Sequence, residues 1–153
     1  MAGHETVFMN DNRELFFIDT NILVYAHDLS AGEKHDRARE LIQTLWDTGI
    51  GCLSIQVLQE FFVTVTRKVA RPIKSKNAAR VIKDLATWNL HQPNANDVLG
   101  AIELQGHHQV SFWDAMILWS ASQMGCSKLY SEDLNSAQIY MGVLVVNPFN
   151  DER

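Results

Sequence analysis

Residues 15–25 read LFFIDTNILVY. In this stretch a short apolar run, residues 15–18, is followed at once by the carboxylate of Asp19. Residues 15–18 are unbroken by polar side chains and rich in aromatics, which is typical of a strand buried on both faces of a sheet. Asp19 follows this run directly, and an apolar, helix-like stretch begins after Asn21. The predicted strand therefore delivers an acidic side chain to one edge of a sheet.

Strand-like and helix-like segments alternate along the rest of the chain. Apolar residues at helical spacing predict helices over residues 34–47, 55–69, 76–88, 94–104 and 111–124, with Ser54 and Ser75 as caps of the second and third. Short apolar runs predict strands near residues 50–53, 90, 128–130 and 143–146. This alternation indicates an α/β fold, in which a central parallel sheet is covered by helices on both faces. Ligands bind such sheets outside the carboxyl ends of the strands.

Length and composition suit one globular domain. The chain has 153 residues, of which 46% are apolar and 20% are charged, so the disordered and fibrous classes are excluded. We predict a single domain over residues 15–150 and a loosely ordered N-terminal extension over residues 1–14. The extension lacks the apolar core of a secretion signal, and residues 15–26 are too short, and too polar at Asp19 and Asn21, to span a bilayer. The expected location is therefore the cytoplasm, with no membrane partner.

Cysteines and tryptophans give no pattern of their own for a ligand site. Cys52 and Cys126 lie far apart in apolar segments without a CxxC spacing, which predicts two buried free thiols instead of a zinc site. The tryptophans occur at helix-core spacing, so we predict that they pack in the interior and do not stack on bases: Trp46, Trp88, Trp113 and Trp119.

Two acids follow predicted strands. Asp19 comes after the first strand, and Asp133 comes just after the strand at residues 128–130. Because the carboxyl ends of parallel strands meet at one edge of the sheet, both carboxylates are expected at the ligand-binding rim. Each could instead close an Asx turn after its strand; this alternative has less weight for Asp19, because Asn21 and an apolar, helix-like stretch follow it.

A third acid, Asp114, lies on a helix that is apolar nearly all round. At about 100° per residue, Ile117 and Leu118 flank Asp114 on that helix, which is therefore expected to be buried. A buried carboxylate without a partner costs several kcal/mol or loses its charge, so it calls for a cation. Ser111 and Asp114 also fit a loose capping box, a role that is compatible with metal binding.

A group of carboxylates calls for a cation. Two carboxylates about 4.5 Å apart repel each other by roughly 3–4 kcal/mol at an effective dielectric constant near 20. Divalent cations with a preference for oxygen ligands compensate this repulsion, and Mg²⁺ or Mn²⁺ suits a site made of carboxylates and water. Such a site is suited to phosphodiester cleavage, because the ion lowers the pKa of bound water and offsets charge on the leaving oxygen.

Four short segments carry a resemblance to a known family. They are FIDTNIL at residues 17–23, LQEF at 58–61, SFWDA at 111–115 and YSEDL at 130–134. Together they resemble the PIN-domain nucleases, and especially the VapC toxins of bacterial and archaeal toxin–antitoxin modules. The closing VNPF at residues 146–149 is similar to the end of many such proteins. The resemblance spans roughly residues 15–149; no single motif is specific, but the four in this order are.

The resemblance implies a three-layer α/β/α fold with strand order 3-2-1-4-5. It also implies a carboxylate quartet that binds one or two Mg²⁺ or Mn²⁺ ions, and it adds Glu60, which helical periodicity alone places on the polar side of its helix. The implied catalytic and metal-binding residues are Asp19, Glu60, Asp114 and Asp133, supported by Asn21 and Ser131. The implied activity is endoribonucleolytic cleavage, with a structured RNA such as tRNA as substrate. A homodimer and a cognate antitoxin are implied as well.

Basic residues are concentrated in one window of a chain whose net charge is −5. Net charge alone argues weakly against a nucleic-acid partner, but the window contains no acid and supplies a local positive patch. We expect it to hold the RNA backbone, although a solvated helix–loop–helix surface explains it as well. Its members are Arg67, Lys68, Arg71, Lys74, Lys76, Arg80 and Lys83.

Two other functions remain compatible with parts of the pattern. One is a non-catalytic module of the same fold that binds RNA or protein; the intact quartet argues against it. The other is a phosphatase with Asp19 as the nucleophile, but that chemistry commonly uses a second aspartate where this chain has Asn21.

Overall fold

The apolar run at the start of the domain forms the central strand of the sheet. The structure is a computed structural model that describes residues 13–150. Its strands are β1 (Phe16–Ile18), β2 (Gly51–Ser54), β3 (Asn89–His91), β4 (Lys128–Tyr130), β5 (Ile139–Tyr140) and β6 (Val143–Val146). Its helices are α1 (Thr20–Tyr25), α2 (Glu33–Thr48), α3 (Ile55–Arg67), α4 (Ser75–Leu85), α5 (Ala95–His107) and α6 (Phe112–Gln123). A single 3₁₀ turn (Leu29–Ala31) joins α1 to α2.

The predicted strand order is confirmed. Across the described residues the order is β3-β2-β1-β4-β6-β5, and all neighbours except β5 and β6 are parallel. Phe17 of β1 pairs with Cys52 of β2 on one side and Leu129 of β4 on the other. The predicted fifth strand is β6, beside β4. The antiparallel edge strand β5 was not predicted.

Helix ends follow local capping chemistry. Ser54 caps α3 as predicted, and its hydroxyl accepts from the N–H of Val57 at 3.4 Å. The predicted cap at Ser75 is wrong, because the N–H groups of Asn77 and Ala78 bond to the carbonyl of Lys74, so that helix starts one residue earlier. The same helix ends at Leu85, before the predicted limit.

The core lies on both faces of the sheet. On α6 the residues Ala115, Met116, Ile117 and Leu118 are all buried, as predicted from the apolar run, and each large side chain contributes about 1.5–3 kcal/mol. Helical spacing from Ile55 and Leu58 predicts Phe62 as the inward aromatic of α3, but Phe61 is buried instead and Phe62 is only partly buried. The difference arises because α3 packs against α1 and α4 as well as β2, so its buried surface is wider than one stripe.

The cysteine prediction is confirmed, and the tryptophan prediction is wrong for two of the four. Cys52 and Cys126 are free and buried. Trp88 and Trp119 pack against the core, but Trp46 is 42% exposed and Trp113 is 61% exposed. Both exposed rings lie on helices whose buried side is already filled by other residues.

The predicted extension, residues 1–14, lies outside the described residues except for its last two positions. Its loose order and the limits of the domain at residues 15–150 stay predictions. None of the helices formed by residues 13–150 combines the length and apolar character that a membrane crossing needs.

Candidate metal and nuclease site

Asp19 lies at the carboxyl end of β1 and caps α1. Its backbone N–H donates to the carbonyl of Tyr130 at 3.0 Å, which fixes it against the neighbouring strand β4. The N–H of Thr20 donates to Oδ1 at 2.7 Å, and the hydroxyl of Ser131 donates to Oδ2 at 2.8 Å. The carboxylate of Asp19 is thus held by the start of α1, which follows β1, and by the turn that follows β4.

Burial changes the acidity of Asp19. The residue is only 6% exposed, and this desolvation raises the pKa of its carboxyl to about 6 from its ordinary 3.8. The hydrogen bonds from Ser131 and Thr20 act in the opposite direction, and the charges of Asp114 and Asp133 add a smaller rise. The site therefore stabilises the anion incompletely, as expected of a carboxylate that needs a cation.

Asp133 lies in the turn after β4 and is exposed. Its Oδ2 accepts a hydrogen bond of 2.7 Å from the amide nitrogen of Asn21 on α1. Asn21 thus supports Asp133, while Ser131 supports Asp19. The two polar positions expected to support the acids each contact one of them.

Glu132, which precedes Asp133, is held by a separate cluster with Tyr25 and Lys34. Glu132 accepts from the hydroxyl of Tyr25 at 2.6 Å and forms an ion pair with Lys34 at the start of α2. Burial alone raises the pKa of Glu132, but the bonds from Lys34 and Tyr25 outweigh it and lower the pKa overall. The cluster ties the turn that carries Asp133 to α1 and α2.

Asp114 lies in the first turn of α6. Its N–H donates to the hydroxyl of Ser111 at 3.0 Å, so the expected cap is present and leaves the carboxylate available. The side chain is half-buried, and desolvation raises the pKa of its carboxyl. The charge of Asp133 and, to a smaller extent, that of Glu60 contribute to the rise, while the bond from Ser111 opposes it. Since the charge of Asp114 also acts on Asp19, Asp114 is electrostatically coupled to all three of the other acids.

Glu60 lies on α3 and is held by two donors. The hydroxyl of Thr20 donates to Oε1 at 2.6 Å, and the amide of Gln56 donates to Oε2 at 3.1 Å. The same amide nitrogen of Gln56 donates to the carbonyl of Trp113 at 3.1 Å, which joins α3 to the start of α6. Thr20 and Gln56 were not among the predicted site residues, and no spacing in the sequence singles them out.

All four acids line one cavity of about 290 Å³ at the carboxyl edge of the sheet. Its lining residues are Asp19, Thr20, Asn21, Gln56, Glu60, Thr64, Lys68, Trp113, Asp114, Ile117 and Asp133. Between residues 13 and 150, no lysine or arginine forms an ion pair with any of the four carboxylates. The cavity therefore gathers negative charge that the described side chains leave uncompensated.

The donor set of the cavity fits a divalent ion with many water ligands. Among the described side chains, no three of His, Cys, Asp or Glu stand close enough to ligate one ion together. Mg²⁺ keeps several waters and needs only one or two direct carboxylates, which the four acids of the cavity can supply. Asp19 and Asp114, whose pKa values are both raised, are the groups that would gain most from a cation.

The basic window contributes one residue to the cavity. All seven of its lysines and arginines are exposed, but only Lys68, at the end of α3, lines the acid cavity. The other six lie on the following loop and on α4, or at the end of α3 facing solvent.

Comparisons with known proteins agree with this architecture. A family model described as the PIN domain matches residues 16–140. VapC20 of Mycobacterium tuberculosis, a toxin that cleaves the sarcin–ricin loop, superposes with a TM-score of 0.62 at 21% identity over 77% of this chain and 89% of its own. A toxin–antitoxin complex from Klebsiella pneumoniae (TM-score 0.62, 20% identity) and DNA-bound VapBC from Salmonella typhimurium (0.62, 15%) each cover 87% of this chain and 97% of theirs. A comparison with curated protein sequences found no significant match.

Proposed function

The chain belongs to the PIN-domain family, and from that premise we propose that it is a metal-dependent endoribonuclease that hydrolyses RNA phosphodiester bonds. The observation that carries the proposal is the single cavity into which the end of β1, α3, α6 and the turn after β4 bring four carboxylates. The raised pKa values of Asp19 and Asp114 support it, because the hydrogen bonds to these carboxylates do not offset their desolvation, and a cation would. Asp19, Glu60, Asp114 and Asp133 are the proposed catalytic and metal-binding residues.

One or two Mg²⁺ or Mn²⁺ ions would be held by Asp19, Asp114 and Asp133, directly or through water. When bound, such an ion lowers the pKa of water and offsets charge on phosphate oxygens. Ser131 and Thr20 hold the two oxygens of Asp19, and Asn21 holds Asp133. These bonds fix both carboxylates before substrate arrives.

Glu60 is proposed to orient the attacking water. Thr20 and Gln56 occupy one lone-pair direction on each of its oxygens, so its carboxylate has a defined orientation and keeps further lone pairs for water. Water then displaces the 3′ oxygen: a new P–O bond forms as the P–O3′ bond breaks. The products carry a 5′ phosphate and a 3′ hydroxyl, with one water proton retained by the leaving oxygen.

The RNA backbone is proposed to follow the basic window away from the cavity. Lys68 lies at the cavity, and the exposed cations of the next loop and α4 continue from it. The paired change Arg71→Glu and Lys74→Glu should weaken RNA binding and flatten its salt dependence. Unchanged affinity and salt slope would remove these residues from the RNA path.

We further propose that the protein is the toxin of a VapBC-type module and acts in the cytoplasm. The support is its likeness in fold to solved toxin–antitoxin complexes, which suggests a cognate antitoxin as its partner. A homodimer is proposed as well, since α5 exposes the apolar residues Val98, Leu99 and Ile102. Growth arrest on expression, absent for Asp114→Ala, tests the toxin role, and light scattering on a sizing column tests the dimer.

The decisive experiment is cleavage of total tRNA with Mg²⁺, with Mn²⁺ and with EDTA. The wild-type protein should cleave only with metal, Asp19→Asn should be inactive, and the exposed Asp47→Asn on α2 should retain wild-type rates. Fragment ends should carry 5′ phosphates. RNA binding without cleavage would favour the non-catalytic module, and a phosphoaspartate trapped at Asp19 would favour the phosphatase. Either result would refute the proposal.

A further inference from the structure

Trp113 is the most exposed of the tryptophans. Its side chain is 61% exposed, although six of the ten residues that follow it in α6 are buried. A large aromatic side chain in water is unfavourable, and a tryptophan that remains exposed beside a polar cavity is typical of a binding surface. Packing of the core therefore does not account for this ring.

The position of Trp113 is fixed before any ligand arrives. Its carbonyl accepts from the amide of Gln56 at 3.1 Å, and the cap between Ser111 and Asp114 closes the same turn. The ring makes an edge contact with Phe112, with centroids 5.0 Å apart and planes at 73°. Rigid aromatic anchors lose little conformational entropy on binding, which suits them to recognition.

Other residues of the cavity indicate what the ring meets. Trp113 lines the same cavity as the four acids, and it directly precedes Asp114. Lys68, the cation of that cavity, is a point charge suited to a phosphate. Two residues that line the cavity beside the acids thus carry a flat apolar ring, which is 61% exposed, and a cationic group. A nucleotide of single-stranded RNA has a base that can stack on the ring of Trp113 and a phosphate that can contact the ammonium group of Lys68.

We propose that the exposed indole of Trp113 is a stacking platform for an unpaired nucleobase adjacent to the cleaved phosphate. The inference rests on the proposed ribonuclease function and adds to it a base subsite and a requirement for unpaired RNA at the cut. Because every base has a π-face, stacking on Trp113 positions the substrate without selecting a sequence. A base inside a duplex cannot reach the ring, so the subsite restricts cleavage to loops, bulges and single strands.

The test separates base contacts from phosphate contacts. Binding is measured by fluorescence anisotropy in the Asp19→Asn background, with Mg²⁺ present, so that the RNA stays intact. The probes are a labelled oligoadenylate and a labelled abasic ribose-phosphate oligomer of the same length, which keeps the phosphates and lacks every base. The added variants are Trp113→Ala, Trp113→Phe, Lys68→Ala and the control Leu29→Ala, which alters an exposed apolar residue outside both the cavity and the proposed dimer surface.

Trp113→Ala is expected to weaken oligoadenylate binding by about 5- to 150-fold, the range found for loss of one stacked base. Binding of the abasic oligomer should change by less than about twofold. Trp113→Phe, which keeps an aromatic face, should retain part of the lost affinity. Lys68→Ala should weaken both probes and reduce the salt slope by about one, whereas Trp113→Ala leaves that slope unchanged. Leu29→Ala should weaken neither probe.

Several results would overturn the inference. Unchanged oligoadenylate binding by Trp113→Ala would do so, as would equal weakening of both probes. A changed oligomeric state with normal RNA binding would make Trp113 a protein contact instead. If the otherwise wild-type protein cleaves tRNA while Trp113→Ala retains normal KM and kcat, only this inference fails. If the Asp19→Asn protein binds neither probe and the wild type does not cleave, the proposed function fails with it.

Discussion

Replacing Asp19 with asparagine should stabilise the metal-free protein at neutral pH. Burial raises the pKa of this carboxyl from 3.8 to about 6, so the folded state retains its proton to a higher pH than the unfolded chain does. Between these two values the folded protein binds more protons, and the free energy of unfolding therefore falls as the pH rises. Well above pH 6 the carboxylate is ionised in both states, and the free energy of unfolding is lowered by the full cost of burying the anion.

The size of the effect follows from the two pKa values. Their separation corresponds to about 3 kcal/mol at pH values well above 6 and to less than about 1 kcal/mol near pH 4. Asparagine removes the charge and keeps the hydrogen bonds, because its oxygen can accept from Thr20 and its amide can donate to Ser131. Asp19→Asn should therefore gain up to about 3 kcal/mol near pH 7.5 and little near pH 4.

Denaturant unfolding in EDTA, followed by circular dichroism at both pH values, measures this difference. The exposed Asp47→Asn is the matched control and should change stability by less than about 0.5 kcal/mol at either pH. Mn²⁺ at about 100 times its Kd should then stabilise the wild type by about 2.7 kcal/mol and leave Asp19→Asn unaffected. An equal gain in the free energy of unfolding at both pH values, or no gain at either, would refute the idea that the buried carboxylate of Asp19 destabilises the metal-free protein.

Three further changes probe the surroundings of the site. Ser131→Ala removes a donor to the carboxylate of Asp19, so the pKa of that carboxyl, followed by carbon NMR, should rise further; an unchanged titration would contradict this. Glu132→Gln loses the ion pair to α2, and amide exchange in its turn should accelerate while the global melting temperature stays nearly constant. Gly100→Ala would place a Cβ 2.3 Å from the ring of Trp119 and should cost about 1–3 kcal/mol in the free energy of unfolding; a neutral result would mean that the ring moves freely.

Topology made the two central acids predictable. Asp19 and Asp133 follow strands that pair in parallel, and any parallel sheet brings such positions to one edge. Asp114 was predictable because a carboxylate in an apolar helix stands out against its neighbours. In all three cases a strong local pattern surrounds the acid.

Glu60 and its donors could not be found from periodicity. A polar side of a helix has the same pattern whether it faces solvent or a polar cavity, so Glu60 resembled an ordinary surface residue until the family motif was considered. Gln56 and Thr20 are common residues without distinctive spacing. Their roles depend on a contact between α1, α3 and α6 that only the folded chain creates.

Trp113 and β5 show two other limits. An aromatic residue in an apolar run is predicted to be interior, but Trp113 lies in the first turn of α6, before the buried residues of that helix, and is 61% exposed. The edge strand β5 lies between Ala137 and Met141, whose φ angles are 70° and 50°. Neither residue type favours the left-handed region, and Gly142, with a φ angle of 83°, marks the turn into β6 but not the two-residue strand before it.

The order in which the chain supplies the site has a consequence for its synthesis. Residue 131 donates to Asp19, and the turn that follows β4 provides the last acid of the cavity. A nascent chain still attached to the ribosome therefore lacks the complete charge cluster until residue 133 has been added. A frameshift or nonsense codon before position 131 yields a product without the hydroxyl that holds Asp19 and without the fourth carboxylate of the cavity.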